Sequence, residues 1–183
     1  MYEYAALVET AAGSVRTQGF IWLTEPHPPA TADAIARCEK AIGIELPPSY
    51  KEVLREHDGV TFVIKLAPGV EMFLMLLGTG EIVDETLRMR GGWVDFPQVS
   101  LDGLVVFADS MDGDVCLFDQ MQARDGRVPV LGGEHEDDPG LWRETVIADD
   151  FDQWLRNVLA FVTEYGNHND FRYWWVPDWT RRR

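Results

Sequence analysis

The stretch Ile35–Val60, IARCEKAIGIELPPSYKEVLREHDGV, decides the fold, because it sets two helices, the corner between them and the start of the next strand. Ile35, Cys38 and Ile42 fall at i, i+3 and i+7 and line one helix face, leaving Arg37, Glu39 and Lys40 on the wet side. Gly43 supplies the positive φ that stops this helix. Pro47 and Pro48 keep the residues before them out of the α region while presetting φ for a new helical start, so the corner is stiff. Tyr50, Val53, Leu54 and His57 then repeat at 3 and 4 residue steps, and Asp58-Gly59 closes the segment in a turn.

Working outward, Val60 to Lys65 and Val70 to Leu77 read as a hairpin around Pro68-Gly69, with the Met72 and Met75 strand as core. Glu81 to Arg90 carries Ile82, Leu87 and Met89 among charges without a clean period, consistent with a short helix or an irregular crossover. Leu104 to Ala108, Val115 to Phe118 and Arg127 to Val130 read as successive antiparallel strands separated by DSMDGD and by Asp125-Gly126. GGEHEDDPG is a loop, and Trp142 to Ala148 a strand or extended lead. Asp149 or Asp150 is placed to cap a helix that carries Phe151, Trp154, Leu155, Val158, Leu159 and Val162, the strongest helical signal in the chain. An N-terminal helix is expected over Tyr2 to Ala12, and Gly19 to Leu23 is a short apolar run of strand type. His27, between prolines, reads as a solvated loop residue.

These elements imply an α+β fold, a mostly antiparallel sheet of about five or six strands covered by N-terminal helices and a C-terminal helix. At 183 residues the chain suits one domain, residues 1–183, with 1–29 as an N-terminal extension and 167–183 as an aromatic C-terminal tail. Phe171, Tyr173, Trp174, Trp175 and Trp179 give that tail more aromatic surface than water tolerates. It is expected to fold back on the sheet or to serve a contact, including a homodimer through Trp174, Trp175 and Trp179.

With a formal charge of −15, the chain is unsuited to nucleic acid or an anionic membrane surface and suited to a basic partner. Asp95 to Asp152 holds fifteen Asp or Glu against three Arg, so that −12 of the charge lies there. No apolar run of about 18 residues and no signal-type N-terminus is found, so a cytoplasmic protein is expected. Cys38 and Cys116 are too few and too far apart for a disulfide framework and read as buried thiols.

The run LPPSYKEVLREHDGV resembles the signature of the SUKH superfamily, which groups fungal cell-wall-assembly regulators with bacterial immunity proteins that neutralise toxins. GDVCLFDQ, DGRVPVLGGEHED and IADDFDQWLRNVL resemble the family's later pattern: a strand ending in Phe-Asp, a Pro-Val strand followed by His-Glu, and an acidic-capped final helix. The matches run from Ala30 to Val162. The resemblance implies recognition rather than catalysis.

Other chemistries find little support in the sequence. Asp109, Asp112 and Asp114 lack the spacing of an EF-hand, and Asp and Gly explain their turn without metal. Glu134, His135, Glu136, Asp137 and Asp138 lack the i, i+4 His pair of a metalloprotease helix. There is no G-x-S-x-G, and Gly78-Thr79-Gly80 lacks the lysine of a phosphate loop. The expected protein therefore has no cofactor and no metal, and binds a cognate basic toxin domain through Asp112, Asp114, Glu134, Glu136, Asp137 and Asp138. A regulatory or scaffold role within the superfamily is the alternative, and a metal-dependent enzyme using the acidic loops is the third.

Overall fold

The computed structural model describes residues 4–10, 21–24, 26–67, 70–91, 99–110 and 113–164. The aromatic tail, with Trp174, Trp175 and Trp179, lies outside them. Residues 4–10 form helix α1, followed by strand β1 (Ile21–Thr24), α2 (Ala32–Ile42), α3 (Pro48–Glu56), β2 (Val60–Ala67), β3 (Val70–Leu76) and α4 (Thr79–Arg90). Then come β4 (Leu104–Asp109), β5 (Val115–Asp119), β6 (Val130–Gly133), β7 (Val146–Ala148) and α5 (Phe151–Glu164). The strands form a seven-stranded antiparallel meander in chain order, so the fold is α+β as expected, with the Gly19–Leu23 and Trp142–Ala148 runs supplying the outermost strands.

The deciding stretch folds as its spacing requires. Thr31 caps α2, its hydroxyl accepting from Ala34 N, and Gly43 ends the helix at φ 71°. α3 begins at Pro48 without a side-chain cap, and buries Tyr50, Val53 and Leu54. α1 packs on this pair: Tyr4 and Leu7 are fully buried, and the Tyr4 hydroxyl lies 2.6 Å from His57 Nδ1.

Register assigns the core to two faces. Val105, Phe118, Val130 and Ala148 are cross-strand partners and share one face. There Phe107 stacks on Phe118 at 4.0 Å, and Tyr50, Phe151 and Trp154 close over them edge-on. Val106, Leu117, Leu131 and Val146 project from the opposite face. That face is crossed by a 3-10 turn, Pro139–Glu144, whose Trp142 is buried. A Cβ built on Gly133 would sit 3.1 Å from both Leu117 Cδ1 and Trp142 Cδ2, so a side chain here would press on this indole. The strand expected over Arg127–Val130 therefore lies at Val130–Gly133 instead, carrying two glycines that read as loop.

β3 and β4 pair only at Met75–Asp109 and Leu76–Ala108. Beyond that point α4 takes the place of the missing ladder: Thr86 Oγ1 accepts from Val106 N at 3.1 Å, and Arg90 Nη2 donates to Leu104 O at 2.8 Å. The segment left open between a short helix and an irregular crossover is thus a regular helix of 12 residues. At the β3–β4 junction the buried Tyr50 hydroxyl donates to Leu77 O (2.7 Å) and Phe107 O (2.9 Å).

Candidate functional site

One row of residues crosses the middle of the sheet. Val60 pairs with Leu76, Leu76 with Ala108, Asp109 with Val115, and Val115 with Gly133. Because β3 and β4 are antiparallel and overlap only at their C-terminal ends, residues 57–59 and 77–81 leave this row in one direction, and the connections after β4 and β6, residues 109–114 and 134–138, leave it in the other. The latter two contain Asp109, Asp112, Asp114, Glu134, Glu136, Asp137 and Asp138, with neither Lys nor Arg. At the other end of β4–β6, Arg90 Nη1 donates to Ile42 O, Arg127 lies 3.7 Å from Asp150 and Arg143 2.6 Å from Asp119. A one-signed rim at one end of β4–β6 follows from topology, and carboxylates so grouped raise the local concentration of cations.

The expected contact residues fall on two of these connections, which lie side by side because β5 starts where β6 finishes. Asp114 Oδ1 accepts from His135 N at 2.8 Å and lies 2.8 Å from His135 Nδ1, which ties the two turns together. Its side chain is only 16% exposed, so it acts first as a brace. Gly113, at φ 103°, lets the chain turn beneath the His135 side chain, where a Cβ would come within 3.2 Å. Glu134 O accepts from Asp137 N (3.1 Å) and from Trp142 Nε1 (3.3 Å), fixing the 134–138 turn to the buried indole. Asp138 Oδ1 caps the 3-10 turn through Gly140 N at 2.8 Å. Glu136 and Asp138 are exposed, Glu134 and Asp137 half-buried. Asp112 lies outside the described residues.

Two carboxylates on the other side of the Leu76–Ala108 row escaped the sequence reading. Asp58 Oδ1 accepts from Thr79 N (2.6 Å) and its Oδ2 from the Thr79 hydroxyl (3.0 Å), while Glu81 Oε2 accepts from Gly78 N (2.8 Å). Both carboxylates thus satisfy the first N–H groups of α4 and complement its dipole. A Cβ on Gly78 would lie 2.4 Å from Asp58 O, so the approach demands glycine. His27 is exposed as expected but tethered, its Nδ1 2.9 Å from Asp58 O and its N–H donating to Gly59 O. The sequence signal was present in the Glu three residues after the Gly78 cap. The distant partner Asp58 left none.

Asp119 shows that the acidic tally overstates the surface. It is fully buried, accepting from Met121 N (2.9 Å), Gln122 Nε2 (3.0 Å) and Arg143 Nη1 (2.6 Å). Asp150 is likewise occupied, capping α5 through Gln153 N at 2.8 Å.

Among the described residues no three His, Cys, Asp or Glu side chains converge as metal ligands. Burial pushes the Cys38 thiol up to about 12 and raises Cys116 further, so both are poor nucleophiles at neutral pH. No helix among the described residues is long and apolar enough to cross a membrane. What the end of the sheet offers is a rigid, exposed, negatively charged surface.

The family model for the SMI1 / KNR4 family (SUKH-1) matches residues 29–157, which takes in α2 through the first half of α5. The chain belongs to this family. A comparison with curated proteins found no match. In this SUKH-1 protein both connections of the acidic rim fall inside the matched region, while α1, with its buried Tyr4 and Leu7, precedes it.

Proposed function

We propose that this SUKH-1 protein is an immunity protein that binds a cationic toxin domain, a nuclease by preference, and blocks its active surface with carboxylates standing where substrate phosphates would lie. Family membership supports a binding role, and the observation that carries the finer reading is the absence of Lys and Arg from the two adjacent connections, 109–114 and 134–138, at one end of β4–β6. Glu136 and Asp137, with Asp112, are the leading contacts. Asp114, Glu134 and Asp138 hold the turns in place and add to the field. Complementary charge accelerates encounter and makes it salt-sensitive, whereas lasting affinity depends on buried anchors.

The test is the association rate with a basic nuclease toxin domain over 20 to 500 mM salt, with the full chain and with Glu136→Lys/Asp137→Lys. The reading expects about tenfold or more slower association for the variant at low salt, converging at high salt. Equal rates at every ionic strength would remove the acidic end from the interaction.

A further inference from the structure

The opposite face carries a second feature beside that rim. Val146 is the cross-strand partner of Leu131, which is fully buried, yet Val146 itself is 47% exposed because β7 ends the sheet. Leu141 is 51% exposed on the 3-10 turn that lays Trp142 over the same face. Two half-exposed aliphatic side chains thus lie within four residues of a buried indole, and the exposed carboxylates of Glu136, Asp138 and Glu144 lie on the same run of chain. An apolar centre with a charged rim is the anatomy of a protein-binding hot spot.

Building on the immunity reading, we propose that Leu141 and Val146 seat an aliphatic side chain of the cationic partner, flanked in that partner by Lys or Arg residues that meet the rim. Charge selects the occupant: a neutral apolar segment would gain nothing from the carboxylates, and an acidic one would be repelled. The seat supplies the slow dissociation that charge alone does not. It is built on a stiff support, since Trp142 is buried and its Nε1 donates to Glu134 O.

The full chain is titrated at 50 mM salt with two peptides of equal charge, Lys-Leu-Lys-Lys-Leu-Lys and Lys-Ser-Lys-Lys-Ser-Lys, following amide shifts and affinity. The leucine peptide should bind about tenfold more tightly, the ratio that burial of roughly 55 Å² of apolar surface produces. It should shift residues 141–147, and Leu141→Ser/Val146→Thr should abolish its advantage while leaving the serine peptide unaffected. Equal, salt-sensitive binding of both peptides would overturn the seat and leave the acidic surface standing. Failure of both to bind would remove the acidic reading together with the seat. Because the peptides are compared first on the unaltered chain, a variant that folds poorly does not decide the matter.

Discussion

Arg143→Leu removes the cation from a buried carboxylate, and its effect can be worked from the contacts. Asp119 is fully buried and its Oδ2 accepts from Arg143 Nη1 at 2.6 Å; Arg143 is 28% exposed and also donates to Asp102 O. After the substitution Met121 N and Gln122 Nε2 remain as donors, but the carboxylate has lost its counter-charge. Breaking a buried pair from one side costs about 3–5 kcal/mol, and the partial exposure of Arg143 places this one near the lower bound, about 3 kcal/mol. For a chain of this size that corresponds to a fall in Tm of roughly 6–12 °C. Urea unfolding followed by tryptophan fluorescence gives the free energy directly. The double variant Asp119→Asn/Arg143→Leu should recover about half of the loss, because the amide carries no charge and its oxygen still accepts from Met121 N, while its Nδ2 requires the Gln122 amide to turn its oxygen inward. A single variant within 0.5 kcal/mol of wild type, or a double variant no better than the single, would refute the reasoning.

Three further substitutions or titrations test the scaffold. Tyr50→Phe leaves Phe107 O with the Leu77 N–H but strips the hydroxyl from Leu77 O, so a loss of about 1–3 kcal/mol in urea unfolding is expected. Gly78→Ala forces a Cβ to 2.4 Å from Asp58 O and should lower Tm by several degrees with loss of amide-exchange protection at the start of α4. Cys38 and Cys116, whose thiols burial raises, favour the folded state fully below an unfolded thiol pKa of about 8.5. That contribution is lost as pH rises from there toward the folded values, at most about 1.4 kcal/mol per pH unit for each thiol. The wild type should therefore lose more stability between pH 8 and 10 than Cys38→Ala/Cys116→Ala does, and equal losses would contradict the burial argument.

The helices of the deciding stretch, and α5, were legible because each carries its own stop or start: Gly43 at positive φ, Pro48 at the first turn, and Asp150 accepting from Gln153 N at the head of α5. α4 was left open between a helix and a crossover, and the reason is physical. Its buried stripe is Thr79, Ile82, Thr86 and Met89, which has helical spacing but is half threonine, and Leu87, which confuses the pattern, is exposed. Thr86 is inside because it accepts from a strand N–H that lacks a neighbouring strand, a circumstance that local periodicity does not carry. Strand β6 was displaced for a related reason: Gly132 and Gly133 signal a loop, yet Gly133 lies in the sheet where Trp142, nine residues later, packs closely over it. At the site, the acidic composition of the 109–114 and 134–138 turns was plain, and their adjacency followed from an antiparallel meander. The sequence could not show that Asp114 and Asp138 are engaged in bracing, that Asp119 is buried against Arg143, or that Asp58 caps α4 from far away in the chain.

The proposal that the acidic end of the sheet is the face that neutralises a toxin is met most directly by survival on co-expression with candidate basic nuclease toxin domains against which the wild type protects. Three forms are compared: wild type, an acidic-end variant Glu136→Lys/Asp137→Lys, and a control at the opposite end, Arg124→Glu/Arg127→Glu, all with matched Tm. The account predicts that wild type and the opposite-end control protect the cells and that the acidic-end variant fails to. Full protection by the acidic-end variant, or its loss only in the opposite-end control, would contradict it.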